Sequence, residues 1–349
     1  MTDIAVSLQD GEIKTFPHGT TVVEALKTLV SGKKRKETIA VRNNGRLLEL
    51  STPLTEDTVI EPVSVSSEAG LEILRHSTAH IMALAVKELY GDQVKVAIGP
   101  AIEDGFYYDF DRDKPFSPED FEEIEAKMAE IVAARLPFVR EEMGRDEAIR
   151  FFEGLGERYK VELLRDMDVD RVSLYGHGSF VDLCRGPHVP DSSWLKVFKL
   201  LRVAGSYWRG DEKREMLTRI YGTAFADKKE LQAYLTRLEE ARKRDHRKLG
   251  KQLGLFTIQD QIGPGLILWQ PRGALLRRLL EDYWKDEHYR NGYQLLYTPH
   301  IARQDLWKTS GHLDFYSENM YSAMEIDEVL YQLKPMNCPF HIGVFNADK

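Results

Sequence analysis

The sequence predicts an α+β fold divided among several domains. With 349 residues, 42% hydrophobic and 30% charged, the chain is long enough for two or three separate cores. Residues 1 to about 63 read as short strands around tight turns, residues 64 to 226 mix helices with aromatic strands, and a basic helix over 227 to 249 precedes a further change in composition.

In the first segment, Asp10-Gly11 and Asn43-Asn44-Gly45 are hairpin turn signals. Between them, Thr21 to Glu24 makes a capping box, and Val22, Val23, Leu26 and Leu29 or Val30 supply the apolar face of a helix. Strand, strand, helix, strand, strand is the order of a small β-grasp module. The run Lys33-Lys34-Arg35-Lys36 reads as a solvated loop and is assigned no chemistry.

The second segment opens with a helix over Leu71 to Tyr90, uninterruptedly apolar from Ile81 to Val86 and closed by Gly91. It carries H-S-T-A-H, whose His76 and His80 share one helix face. Val94 to Ile98 and Gly105 to Phe110 follow as strands, the second at a sheet centre. Tyr107, Tyr108 and Asp109 read first as core and second as pocket lining. A charged helix follows Pro118, and Val139 to Glu142 is expected to return to the same sheet. Asp182, Cys184 and His188 then occupy a strand end and its Gly186-Pro187 turn.

Asp227 to Leu249 reads as the clearest helix, capped by Asp227 with Glu230 and striped by Leu231, Tyr234, Leu235, Leu238 and Ala241. Its basic end, Arg242, Lys243, Arg244, Arg247, Lys248 and Lys251, suits the helix dipole and RNA phosphates equally, and marks a connector. Beyond Gly250 come a Gly263-Pro264-Gly265 turn, an amphipathic helix through Leu275, Leu276, Leu279 and Trp284, and a strand over Tyr293 to Tyr297 ending at Pro299. Cys338 and His341 in K-P-M-N-C-P-F-H offer at most two metal ligands. Zinc needs three or four from protein, so this pair is incomplete alone.

His76, His80, Cys184 and His188 form two i, i+4 pairs that can surround one metal ion, one water or one scissile bond. Either imidazole alone reads as a hydrogen-bonded core residue; the second pair, on a turn, favours a functional centre. The net charge of −8 argues against a uniformly basic surface and leaves nucleic-acid contact to local patches. No stretch approaches the roughly 20 apolar residues of a membrane span, and Met1 to Asp10 lacks the features of a signal peptide, so a cytoplasmic protein with no membrane partner is expected. The two cysteines, both in polar motifs, read as reduced thiols.

Taken in order, F-P-H-G-T-T (16 to 21), H-S-T-A-H (76 to 80), G-F-Y-Y-D-F (105 to 110), D-L-C-R-G-P-H (182 to 188), Y-W-R-G-D (207 to 211), R-I-Y-G-T-A-F (219 to 225) and K-P-M-N-C-P-F-H (334 to 341) resemble the bacterial threonyl-tRNA synthetases along the entire chain. The resemblance implies a TGS module at 1–63, an editing domain at 64–226, a linker helix at 227–249 and, at 250–349, the start of a class II catalytic domain built on an antiparallel sheet. The helix and strand ending at Pro299 are similar to class II motif 1, which contributes to a homodimer interface. Cys338 matches the family's catalytic zinc cysteine. The other two zinc ligands, the motifs that hold ATP with Mg2+, and the anticodon-binding domain lie farther along in the family. The sequence is therefore expected to be an N-terminal fragment that does not itself aminoacylate. His341 has no ligand role implied.

The implied partners are tRNA(Thr), threonine and ATP. Serine differs from threonine by one methyl group, worth roughly 1–3 kcal/mol or about 10 to 200-fold in binding, so hydrolytic editing is needed. The resemblance implies that His76, His80, Cys184 and His188 surround the ester of mischarged seryl-tRNA(Thr), with Lys160 and Asp182 orienting the substrate, at a metal-free, water-mediated site. A related editing family holds zinc with the same set, and the spacing permits that here. Two alternatives are a free-standing editing hydrolase acting in trans, for which residues 250–349 would be superfluous, and a non-catalytic tRNA-binding paralogue, in which the histidine and cysteine pairs would be disrupted.

Overall fold

Apolar alternation along Ile4–Leu8 (β1), Lys14–Phe16 (β2), Thr38–Asn43 (β3), Arg46–Glu49 (β4) and Thr58–Ser64 (β5) builds a five-stranded sheet in the order β2-β1-β5-β3-β4. The structure is a computed structural model and describes residues 3–9 and 11–347. β1 and β5 run parallel at the centre, and the other pairs are antiparallel. Asn44 and Gly45, with φ of 47° and 79°, make the two-residue turn from β3 to β4. The expected Asp10-Gly11 turn involves Asp10, which lies outside the described residues.

Helix α1 (Val22–Leu29) starts where the Thr21 N–H donates to Glu24 Oε2 at 2.9 Å, and it buries Val22, Ala25 and Leu26. Val23 is 40% exposed: helical spacing from Val22 brings Ala25, not Val23, to the covered side. Lys33 to Lys36 form part of a short exposed helix, α2 (Gly32–Glu37), rather than a loop. The sheet is covered on both faces, because Ile39, Ala40 and Val63 join the core of the next helix while Val6, Val41 and Ile60 pack with α1.

That next helix, α3 (Glu68–Tyr90), begins where Ser67 Oγ accepts from the Gly70 N–H and ends at Gly91, whose φ is 55°. The elements after it are β6 (Val94–Val96), β7 (Ala101–Ile102), β8 (Gly105–Arg112), α4 (Phe121–Ala134), β9 (Val139–Gly144), α5 (Arg145–Gly154), α6 (Arg158–Asp166), β10 (Arg171–His177), β11 (Phe180–Leu183), β12 (Phe198–Tyr207) and β13 (Met216–Ala224). A central antiparallel sheet runs β12-β13-β8-β6, with β7 paired to the start of β8, and α3 packs on it. β9 does not return to this sheet. It pairs with β10 in a separate sheet, β11-β10-β9, as an edge strand whose Arg140, Glu141 and Glu142 are exposed, a charge pattern suited to an edge rather than a core. Helices α5 and α6 cover that sheet through Phe152 and Leu164. The buried Glu157 ties the parts together, accepting from Lys87 Nζ at 2.8 Å and the Val96 N–H at 3.0 Å.

The helix expected over 227–249 is two helices, α7 (Lys228–Lys243) and α8 (His246–Gln252). Asp245 leaves the helical region and accepts from the Arg247 N–H at 2.8 Å, so a new helix is capped where the first stops. Contact density divides the chain into two units at Ala241/Arg242. In the second unit, β14 (Phe256–Ile258) and β15 (Ile267–Trp269) form a hairpin around Gly263-Pro264-Gly265, and α9 (Pro271–Arg290) follows. Then come β16 (Ile301–Arg303), α10 (Gln304–Thr309), α11 (His312–Tyr316), β17 (Met324–Ile326), β18 (Val329–Leu333) and α12 (Cys338–Ala347), with a sheet in the order β16-β18-β17. The strand expected over Tyr293 to Tyr297 is not formed: a strand exists by pairing, and no described strand pairs with this segment. No described helix is long and apolar enough to cross a membrane.

Candidate active site

Burial of the apolar stretch of α3 turns His76 and His80 toward the end of β11. The β10–β11 register sets Tyr175 opposite Asp182 and leaves Cys184 just past the strand. Ser173 fixes that exit: its hydroxyl donates to the Cys184 carbonyl at 2.6 Å, and its carbonyl accepts from the Cys184 N–H at 3.2 Å. His188 follows after the Gly186-Pro187 turn. The four donor atoms of His76, His80, Cys184 and His188 lie within 4.8 Å of one another, so the structure brings together all four residues singled out from spacing.

Hydrogen bonds link His188, Cys184 and His76 in series. Ser77 Oγ accepts from the Val189 N–H at 3.1 Å and is hydrogen-bonded to His188 Nδ1 at 3.0 Å. Cys184 Sγ is hydrogen-bonded to His188 Nε2 at 3.2 Å and to His76 Nε2 at 3.3 Å. The Gly186 N–H also donates to this sulfur, at 3.3 Å. Aromatic rings hold His188 in place: Phe138 stacks on it at 4.8 Å and Tyr175 meets it edge-on at 4.5 Å.

Burial governs the protonation states. It lowers His76 to about 4, an effect only partly opposed by Asp182, and it takes His80 and His188 well below the ordinary imidazole value. The Cys184 thiol is pushed up to about 12, by burial first and then by Asp182. At neutral pH the cluster is therefore three neutral imidazoles and a protonated thiol. A thiolate nucleophile is disfavoured in this setting.

Lys160 from α6 and Asp182 from β11 form a buried ion pair beside the histidines. Tyr108 donates to Asp182 Oδ2 at 2.6 Å and accepts from Lys160 Nζ at 3.1 Å, and His80 Nε2 lies 3.6 Å from Asp182 Oδ2. Of the three β8 residues considered from sequence, only Tyr108 reaches the site. Asp109 instead holds Arg219 through two hydrogen bonds of 2.6 and 2.8 Å, and the guanidinium lies 3.8 Å over the Tyr107 ring. A cleft of about 590 Å³ opens on His76, His80, Lys160, Asp182, Cys184 and Arg185, with His188 behind them.

Two residues near the cluster carried no signal in the sequence. His177 stacks on Phe138 at 4.5 Å, is lowered to about 4 chiefly by burial, and has both ring nitrogens buried without a hydrogen-bond partner. Glu49, from β4, accepts from the His188 N–H at 2.6 Å across 139 residues of sequence. Neither belongs to a recognisable spacing.

The donor set fits a metal ion as well as a water. Ligands at about 2.0–2.3 Å from zinc stand about 3.5 Å apart, close to the spacing of Cys184 Sγ from the two imidazoles. Cys338 is a different case. It is exposed at the start of α12, its recorded contact is Met336 Sδ at 3.9 Å, and it lies outside the one potential metal group found among the described residues. One thiol does not make a zinc site, and His341 adds no ligand set here.

Residues 172–221, which include most of β10, all of β11 and the Cys184–His188 turn, match the family described as the threonyl and alanyl tRNA synthetase second additional domain. The chain is 54% identical over 348 residues to a threonine–tRNA ligase of Syntrophotalea carbinolica, covering 99% of this chain and 54% of that protein. It is 51% identical to one of Citrifermentans bemidjiense, with the same coverage of each. A solved RNA binding domain of threonyl-tRNA synthetase from Cryptosporidium parvum is 42% identical over 30% of this chain and 26% of that one, with a TM-score of 0.29. The chain spans about half the length of the curated relatives it matches.

Proposed function

We propose that this chain belongs to the threonine–tRNA ligases and that its cleft hydrolyses the ester of seryl-tRNA(Thr). The observation that carries the reading is a cleft walled by neutral imidazoles and a protonated thiol next to a buried Lys160–Asp182 pair. Similarity over 99% of the chain supports a ligase over a free-standing hydrolase. We further assign residues 1–63 as a TGS module, 64–226 as the editing domain, 227–249 as the linker and 250–349 as part of a class II catalytic domain. In the longer protein, Cys338 would supply one zinc ligand. That protein would join threonine to tRNA(Thr) using ATP with Mg2+ and act as a cytoplasmic homodimer.

In the hydrolytic step, water adds to the ester carbonyl, the bond to the ribose oxygen breaks, and that oxygen takes the proton the water loses. An imidazole with a pKa of about 4 is a weak base at pH 7, so His76 would orient the water more than deprotonate it. His80, His188 and Cys184 hold His76 in that position. Asp182 suits the ammonium and hydroxyl groups of the serine moiety, and Lys160 suits its carbonyl or the terminal ribose.

The test is serine release from seryl-tRNA(Thr) by the intact chain. A His76→Ala, Cys184→Ala double variant is expected to lose about 100-fold or more in rate; undiminished release would sink the assignment. We propose the metal-free form, since Cys184 Sγ is already engaged by His76 Nε2, His188 Nε2 and the Gly186 N–H. Stoichiometric zinc in a Cys338→Ser chain, lost on adding Cys184→Ala, would replace it with the zinc form.

A further inference from the structure

The N-terminal sheet reaches the active site through Glu49. This residue is the last of β4, only 9% exposed, and its Oε1 accepts from the His188 N–H at 2.6 Å while Oε2 accepts from Ser51 Oγ at 3.3 Å. The Tyr175 phenol, raised by burial first, is raised further by the adjacent Glu49 carboxylate and its hydrogen bond. Gly186 passes between the two: a methyl group added there would stand 2.2 Å from Tyr175 Oη and 3.0 Å from Glu49 Oε1, and its φ is 68°. The Cys184–His188 turn is thus seated against a carboxylate from the sheet that begins the chain. Leu47, two residues earlier on β4, lines a second cavity of about 260 Å³ that has His76, Gly186 and Pro187 on its wall.

We propose that Glu49 is a positioning residue for the hydrolytic site. By accepting the His188 N–H it fixes the turn so that His188 Nε2 and His76 Nε2 both face Cys184 Sγ. The N-terminal sheet is then part of the hydrolytic machinery and not only an appended module. A hydrogen bond from a backbone N–H to an ionised carboxylate is short and charge-assisted, and a buried N–H left without an acceptor carries its full desolvation cost. The turn of a Glu49→Ala chain would therefore relax toward another acceptor. In Glu49→Gln the amide oxygen still accepts from His188, and the amide nitrogen can donate to Ser51.

This inference rests on the hydrolytic reading, and two readouts on the intact folded chain separate the two. The first is serine release. Glu49→Ala is expected to lower kcat about tenfold or more, the equivalent of about 1.4 kcal/mol, with KM changed less than about twofold, while Glu49→Gln stays within about threefold of the parent. The second is iodoacetamide alkylation of Cys184, with exposed Cys338 as the internal standard. It should rise about tenfold in Glu49→Ala and stay near the parent rate in Glu49→Gln. A Glu49→Ala chain that only melts at a lower temperature, with kcat and Cys184 alkylation unchanged, would overturn the proposal in favour of a purely structural contact. Equal loss in both variants would also overturn it, because the charge and not the hydrogen bond would then act. If the parent chain releases no serine, the hydrolytic reading fails, and the alkylation ratio still decides whether Glu49 orders the turn.

Discussion

At the scale of single residues, the site is defined by what burial does to ionisable groups. A thiol held up to about 12 reacts slowly as a nucleophile at neutral pH, so iodoacetamide at pH 7.5 is expected to modify exposed Cys338 and leave Cys184 largely intact. Mass spectrometry of the two tryptic peptides reads this directly; preferential labelling of Cys184 would mean a thiolate and a different chemistry. The lowered His76 gives a second expectation. Serine release should show no inflection near pH 6.5 and should fall only as pH approaches about 4, where His76 takes up a proton. A rise centred at pH 6.5 in the rate profile would show an imidazole of ordinary basicity acting as the base. The pairing of His76, His80, Cys184 and His188 was legible because i, i+4 spacing is a local rule. Glu49 and His177 were not, because their role comes from contacts that no spacing records.

At the scale of elements, α3, β10 and the turn after β11 hold His80, His177 and His188 buried and His76 half-buried, and desolvation lowers the pKa of each below that of an exposed histidine. The unfolded chain takes up these protons near pH 6.5 and the folded chain does not. Stability is therefore full above about pH 6.5 and lost as pH falls toward about 4, with each such ring adding about 1.4 kcal/mol per pH unit to the slope. His177 contributes this lability and makes no hydrogen bond. His177→Phe keeps the stack on Phe138 and removes two buried unpaired nitrogens, so it is expected to raise the melting temperature, and to raise it more at pH 5 than at pH 7.5. Thermal melts at the two pH values check the sign; a lower Tm at both would show that His177 has a partner worth keeping. Among the elements themselves, α3 was readable to within a few residues from its apolar run and Gly91. β9 was not, since the residues of an edge strand do not say which sheet they will join.

At the scale of the whole molecule, the division at Ala241/Arg242 falls near the break between α7 and α8, in a stretch rich in lysine and arginine. Brief trypsin treatment is expected to cut first between residues 242 and 248 and to release a product ending near Lys243 that retains serine release. Early cleavage within α3 or between β10 and β11 would contradict a self-contained first unit. The second unit is built differently. Beyond Ala241, Trp307 is the one large hydrophobic side chain buried among the described residues, while Leu275, Leu276, Leu279, Leu280 and Trp284 of α9 are 47–65% exposed. An apolar face of that kind is suited to covering by further protein surface. Sequence alone determined the helix-borne histidine pair, the turn-borne Cys184–His188 pair, the α+β class and the resemblance, all of which rest on spacing along the chain. Tertiary structure decided that the pairs meet, that burial keeps the imidazoles neutral and the thiol protonated, and that a carboxylate from the first sheet holds the turn. These depend on desolvation and on contacts across more than a hundred residues, which exist only once the chain has packed.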